Sequence, residues 1–225
     1  GLSLPYALRE LAPDASDEQR HAVVEAYKTG FRDLRLSGAL REPLYDGIAG
    51  LIDELSGEGW QLAVATGKSD RGLHACLDTH GIRHRFVSLQ TADRHPSKPH
   101  PAMLEAALFE AAVQPGDAVM IGDTSFDMEM AVAAGVRAIG VAWGYHEAHE
   151  LREAGAVAVA ETAEDSLMAK GNSWYVGANI PGKPRVIAPY AGGGLGVYFA
   201  SRLDEGERLG GAAMGWHGFA GVELE

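Results

Sequence analysis

Asp117-Ala118-Val119-Met120-Ile121-Gly122-Asp123-Thr124-Ser125-Phe126-Asp127 is an apolar, strand-like run that ends on a glycine and an aspartate, with a second aspartate four residues on. One turn of helix brings positions i and i+4 onto one face, so both carboxylates can point into one small volume at a strand's carboxyl end. Two carboxylates that close repel each other unless a cation lies between them, and hard oxygen donors of this kind suit Mg²⁺. The plainer alternative is an ordinary helix start, with Asp123 capping and Asp127 solvated.

Two further stretches bear on the choice. Upstream, Gln61-Leu62-Ala63-Val64-Ala65 is a second strand-like run, and it ends at Thr66-Gly67-Lys68-Ser69. A hydroxyl and free backbone N–H groups at a helix start form a natural phosphate cradle. Between the two strands lies Ser97-Lys98-Pro99-His100-Pro101, where a lysine flanked by prolines precedes the helical stretch from Ala102 to Leu108. Taken singly, Thr66 reads as a turn residue and Lys98 as a solvated charge.

Taken in order, strand–Thr66, Lys98-Pro99 and strand–Gly122-Asp123-x-x-x-Asp127 resemble motifs two, three and four of the haloacid dehalogenase superfamily, in particular its phosphoglycolate phosphatase-like branch. The resemblance runs from about Gly1 to about Glu161 and includes Ala131-Val132-Ala133-Ala134-Gly135-Val136. It implies a Mg²⁺-dependent hydrolase of a small phosphomonoester. Thr66 and the N–H of Gly67 would hold phosphoryl oxygens, Lys98 would neutralise nucleophile and phosphate, and Asp123 would bind Mg²⁺. Asp127, counted with Asp123 as a metal residue, would orient Lys98 and the water around the ion.

The same family requires a first motif, Asp-x-Asp-Gly-Thr, whose first aspartate attacks phosphorus. No such motif occurs in these 225 residues. Residues 1–42 are helix-like and resemble a remnant of the cap that follows motif one, so the chain reads as truncated before its nucleophile and inactive as it stands. Arg202-Leu203-Asp204-Glu205-Gly206 is the sole later candidate for a permuted nucleophile, and it has arginine where the attacking aspartate belongs.

The missing motif also implies a missing strand, in the middle of a parallel sheet between the strands ending at Thr66 and Asp123. Each buried N–H or C=O left unpaired there costs about 1–3 kcal/mol. The expected outcome is an unfilled gap or a self-associating edge. Should the tail fill it, Leu195-Gly196-Val197-Tyr198-Phe199-Ala200 is favoured over Arg185-Val186-Ile187-Ala188, though Gly196 weakens it as a strand.

Composition changes near Ser166. From Gly171 the chain is rich in glycine and aromatics and holds Trp174 and Trp216, two of its four tryptophans. Gly171–Arg185, Pro189-Tyr190-Ala191-Gly192-Gly193 and, more loosely, Trp216-His217-Gly218-Phe219 resemble the C-terminal signature of the Baeyer–Villiger monooxygenases, which use FAD and NADPH. The nucleotide domains of that family are absent here, and Gly192-Gly193-Gly194-Leu195-Gly196 lacks the Gly-x-Gly-x-x-Gly spacing, so no flavin or nicotinamide site is expected. A junction between two unrelated fragments, between Glu161 and Lys170, is the simplest account.

The expected fold is α/β, a doubly wound parallel sheet. Its expected strands are Gln61–Ala65, Arg85–Gln90, Ala118–Gly122, Ala138–Ala142 and Ala156–Ala160. The helices between them read as Gly47–Gly57, Arg71–His80, Ala102–Ala112, Asp127–Ala134 and Glu147–Ala154, with Gly57, Gly81 and Gly135 closing helices. Residues 1–42 read as a helical cap remnant, 43–165 as the core and 166–225 as the monooxygenase-like segment.

A hydrophobic fraction of 46% fits a globular chain, and a net charge of −12 without a basic stripe argues against nucleic acid and anionic membrane as partners. A single cysteine, Cys76, excludes an intrachain disulfide and fits a reducing cytoplasm. No apolar run is long enough to span a bilayer and no signal peptide is visible. His146 and His149, near Glu150, read as solvated surface rather than a metal site. The oligomeric state is open. The alternatives to a phosphatase-type domain are a non-catalytic hybrid and a fragment of a flavin monooxygenase.

Overall fold

The structure is a computed structural model, and it describes residues 2–40, 42–57, 59–162 and the backbone of 195–200. The monooxygenase-like stretches, with Trp174 and Trp216, lie outside the described residues, as do Arg185–Ala188, Arg202–Gly206 and most of the proposed junction.

Two helices open the chain, α1 (Leu4–Leu11) and α2 (Asp17–Leu36). Ser16 and Gln19 cap α2 reciprocally, at 3.2 and 2.8 Å, which satisfies two N–H groups that the first turn leaves without partners. Only Val24 of this helix is buried, while Val23, Tyr27, Leu34 and Leu36 stand exposed.

The core follows as α3 (Ile48–Gly57), β1 (Gln61–Thr66), α4 (Asp70–Thr79), β2 (Phe86–Thr91), α5 (Ala102–Ala111), β3 (Ala118–Gly122), α6 (Ser125–Ala133), β4 (Arg137–Val141), α7 (Ala148–Glu153) and β5 (Ala156–Ala160). Helix and strand positions agree with the sequence reading to within a residue or two. The exception is α3, where the left-handed residue after the helix is Gly59 (φ 83°) rather than Gly57. Gly81 and Gly135 do take that conformation, at φ 68° and 71°.

Side chains alternate across each strand, so β1 sends Leu62 and Val64 to one face and Ala63 and Ala65 to the other. The first face meets Ile48, Leu51, Ile52 and Leu55 of α3 and Leu73, Cys76 and Leu77 of α4. The second, lined by small residues, lets α5 and α6 approach closely through Met103, Leu104, Ala107, Met128 and Ala131. Helices on both faces make the sheet doubly wound, as the alternation of elements implies.

The expected gap is filled. A sixth strand, β6 (Leu195–Ala200), lies between β1 and β3, and the sheet order is β2-β1-β6-β3-β4-β5. The sheet is therefore mixed rather than purely parallel: β6 runs antiparallel to both neighbours, while β1/β2, β3/β4 and β4/β5 are parallel. An unfilled gap would have left the inner edges of β1 and β3 without ladder partners, whereas β6 pairs with β1 from Gln61 to Thr66 and with β3 from Ala118 to Ile121.

The register has a second consequence. Val197 pairs with both Val64 and Ile121, so Thr66 and Asp123 each stand two residues beyond a shared level. They face the same end of the sheet, one strand apart, about 10 Å at ordinary strand spacing. Strand β6 enters at that end, with Leu195 opposite Thr66, and leaves at the far end, with Ala200 opposite Gln61 and Ala118.

Candidate functional site

Thr66, Lys98, Asp123 and Asp127 are all 0% exposed, four polar or charged side chains inside a molecule whose other large buried side chains are mostly aliphatic. That burial overturns the plain readings of Lys98 and Asp127 as solvated charges. A buried charge is tolerated when it is paired and hydrogen-bonded.

Helix α6 supplies Asp127 and the loop before α5 supplies Lys98, whose Nζ donates to Asp127 Oδ1. The peptide bond from Lys98 to Pro99 is cis. The other oxygen of Asp127 accepts from the backbone N–H of Thr124 at 3.2 Å and from the Thr124 hydroxyl at 2.8 Å. Both carboxylate oxygens are thus engaged by donors. Burial acts to raise the Asp127 carboxyl, but the Lys98 ammonium, the charge of the chain's terminal amine and the Thr124 bond outweigh it and hold the group well below the usual carboxylate range. A side chain on Gly122 would place its Cβ 2.4 Å from Asp127 Cβ, so the glycine that ends β3 leaves the space Asp127 fills.

Asp123 is held differently. Its Oδ2 accepts from the N–H of Tyr145 at 3.1 Å, and its backbone carbonyl accepts from the N–H of His146 at 3.0 Å. Its Oδ1 is buried and has no hydrogen-bond partner. Burial, and after it the charge on Asp127, push this carboxyl above its ordinary value. An unpaired carboxylate oxygen beside a second acid is the environment a hard cation relieves, so the residues present fit Mg²⁺ at Asp123. Among the described residues no cluster of three or more acidic, histidine or cysteine ligands forms.

On the other side of β6, Thr66 ends β1 and its Oγ1 accepts from the N–H of Lys68 at 3.1 Å, which closes the turn around Gly67. Ser69 caps α4 by accepting from the Gly72 N–H at 3.2 Å.

Several contributors escape a reading of motifs. The loop after β4 brings Gly144, Tyr145 and His146 against Asp123. A Cβ on Gly144 would lie 2.1 Å from Asp123 Cβ, so the close approach requires glycine. His146 precedes α7 rather than lying within it, and its Nδ1 accepts from the Ser125 N–H at 3.1 Å while its ring meets Phe126 edge-on. It braces the start of α6, where the sequence suggested plain surface. Gly144 stands in the turn three residues past the end of β4, so no strand-end pattern marks it in the sequence.

Comparison with known proteins places this geometry in a lineage. Residues 1–141 match the family of haloacid dehalogenase-like hydrolases. The probable phosphatase IndB of Dickeya dadantii is 35% identical over 165 residues, covering 72% of this chain and 71% of that protein. A phosphoglycolate phosphatase of Vibrio vulnificus is 30% identical over 135 residues, 60% of this chain, and the match spans 58% of that protein's length. Among solved structures, a predicted phosphatase from Clostridium acetobutylicum shares the fold with a TM-score of 0.65 at 24% identity, covering 73% of this chain and 75% of that one. Strand-end threonine, buried lysine and paired aspartates thus sit in the fold that the matched sequences lead one to expect, and the chain belongs to the haloacid dehalogenase-like hydrolases.

Proposed function

We propose that the chain is a Mg²⁺-binding phosphatase-type domain whose site accepts a small phosphomonoester of the phosphoglycolate kind, and that these 225 residues bind rather than turn over. The observation that carries this reading is Asp123 Oδ1, a buried carboxylate oxygen without a hydrogen-bond partner, beside the Lys98–Asp127 pair at the strand ends.

In this reading Thr66 and the Gly67 N–H hold two phosphoryl oxygens at the β1 turn, where peptide N–H groups favour an anion. Lys98 offers its remaining N–H donors and its charge to a third. Asp123 holds the metal ion. Asp127, both oxygens engaged by Lys98 and Thr124, fixes the ammonium and completes the acidic wall behind Asp123. Bound Mg²⁺ supplies charge stabilisation at the phosphoryl oxygens. Burial of all four groups excludes competing water, and α1 and α2 stand as the remnant of a cap that would close over them.

Among the described residues, the attacking carboxylate is what this arrangement lacks. Opposite Thr66, where a nucleophile-bearing strand would end, the register puts Leu195, which has no nucleophilic atom. A buried, unpaired Cys76 suits a reducing cytoplasm. The test is an assay of 2-phosphoglycolate and p-nitrophenyl phosphate with Mg²⁺, alongside Mg²⁺ titration by calorimetry. We expect no turnover and a metal site no tighter than roughly millimolar, the weak end of carboxylate-site affinity. Turnover that Asp123→Ala abolishes overturns the binding-only reading, and Mg²⁺ affinity unchanged by Asp123→Ala overturns the site.

A further inference from the structure

Lys68 opens the turn after Thr66, and its side chain joins a cluster made by a different part of the chain. Its Nζ lies 2.6 Å from Glu42 Oε1, and Arg35 lies 2.8 Å from Glu42 Oε2. The Lys68 ammonium and the Arg35 guanidinium also approach the Phe31 ring, at 5.9 and 5.4 Å from its centroid. His80 contacts the Glu42 carbonyl oxygen through Nε2 at 2.7 Å, which pins the backbone at Glu42. Two cations therefore share one carboxylate, in a chain whose formal charge is −12. Among the described residues neither cation has another acidic partner.

The cluster is placed to read a substrate. The backbone N–H of Lys68 holds Thr66 Oγ1, so the residue that closes the phosphate turn also carries the ammonium. Side-chain exposures of 13% for Lys68, 14% for Glu42 and 27% for Arg35 leave the charges little screened, yet reachable from solvent. The Glu42 carboxylate, bridging two cations at hydrogen-bond distance, shows what chemical group the pair accepts.

We propose that Lys68 and Arg35 form a second anion subsite that binds the carboxylate of a phosphorylated small hydroxy acid, with Glu42 holding both cations in place until the substrate's carboxylate displaces it. This rests on Thr66 and Gly67 holding the phosphate. A neutral alcohol moiety offers nothing to displace Glu42, so the subsite discriminates by charge rather than by shape.

Calorimetric titration of the full chain with 2-phosphoglycolate and with ethyl phosphate, both in Mg²⁺, tests this. The wild type should bind 2-phosphoglycolate about tenfold more tightly, the scale of one charge-assisted hydrogen bond. Lys68→Met should collapse that preference towards unity with ethyl phosphate unchanged. Arg35→Met, on a helix surface, should do so in part and guards against a Lys68 variant that misfolds. Glu42→Gln should tighten 2-phosphoglycolate, because the internal competitor loses its charge, whereas a merely structural Glu42 would weaken both esters when changed. A preference that survives both Lys68→Met and Arg35→Met overturns the proposal, as does equal loss of the two esters in Lys68→Met. If the wild type binds neither ester, the phosphate reading itself fails and the subsite with it. If Thr66→Val alone loses both, the phosphate reading stands apart from the subsite.

Discussion

The two sides of the inserted strand β6 handle charge in opposite ways. On the β3 side, Lys98 and Asp127 are fully buried, and every oxygen of Asp127 is engaged. On the β1 side, Lys68, Glu42 and Arg35 form a partly exposed cluster with more cation than anion. A buried pair cannot exchange partners without leaving a bare charge in the interior, so it acts as scaffold. A cluster that keeps some exposure can trade one carboxylate for another, because the displaced group can turn to water. The fold thus keeps its rigid electrostatics where a metal and a phosphoryl group would sit, and its adjustable electrostatics where a substrate's distal end would arrive.

Removing the strand that joins the two sides has the largest expected effect. Cutting the chain after Lys170 takes away β6, and with it the ladder partners of Gln61–Thr66 and Ala118–Ile121. The expected loss is on the order of 5 kcal/mol, several ladder hydrogen bonds at about 1 kcal/mol each. Hydrogen exchange should show protection lost at Ala63 to Ala65 and at Val119 to Ile121. Unchanged protection at both would mean that the two sides stand independently and that β6 is a passenger.

Next in size is the β3-side pair. Lys98→Met takes from buried Asp127 the cation that donates to it, and breaking such a pair costs about 3–5 kcal/mol. The double variant Lys98→Met with Asp127→Leu should recover most of this in a denaturant midpoint, since replacing both charges with apolar groups removes the orphan. A single variant that costs less than about 1 kcal/mol would place this pair in the same class as the surface cluster.

The sequence made one of these sides more legible than the other. Asp123, Asp127, Lys98 and Thr66 stand out because each follows an apolar run or a proline-bounded turn, and strand ends are where an α/β sheet gathers polar groups. The filling of the gap was legible only as a possibility. Leu195–Ala200 is apolar in either direction, and an apolar run carries no sign of whether it enters a sheet parallel or antiparallel. Tyr145 and His146 reach Asp123 through backbone N–H groups, which every residue but proline has, so no side-chain signature marks them. The Glu42 cluster was invisible for another reason: Arg35, Glu42 and Lys68 are joined by tertiary packing of α2 against the β1 turn, not by a shared spacing.

Asp123 gives a smaller effect of opposite sign to Lys98. Its raised carboxyl means that the metal-free folded state resists ionising it. A group with a folded pKa above its unfolded value contributes stability that is fully present below the unfolded pKa, about 3.9, and lost as pH rises through the folded one. Asp127, held low, contributes in the other direction, and its share is lost as pH falls below about 3.9 through its depressed pKa. Asp123→Asn should therefore stabilise the metal-free chain near neutral pH by about 1 kcal/mol, the difference between an unpaired charge and an unpaired amide. It should also flatten the decline of stability with rising pH in thermal melts. A destabilising Asp123→Asn would show that the buried oxygen has an unseen donor, and the case for a cation there would fall.

The smallest effect falls on the β1 side, and it is the one that separates scaffold from subsite. Arg35→Met removes one cation from Glu42 but leaves the Lys68 bond at 2.6 Å, so the carboxylate is never orphaned. The methionine retains contact with the Phe31 ring, replacing a cation–ring contact with a sulfur–ring one of similar small value. Because the Glu42 carboxyl is held below its ordinary value against burial, by Lys68 first and Arg35 second, losing Arg35 should still leave it ionised at neutral pH. The expected cost is below about 1 kcal/mol, the range of partly exposed ion pairs. A denaturant midpoint that moves by more than about 2 kcal/mol in this variant would make the cluster as indispensable as Lys98–Asp127. Glu42 could then not be displaced by a ligand of ordinary affinity, and the contrast between the two sides of β6 would dissolve.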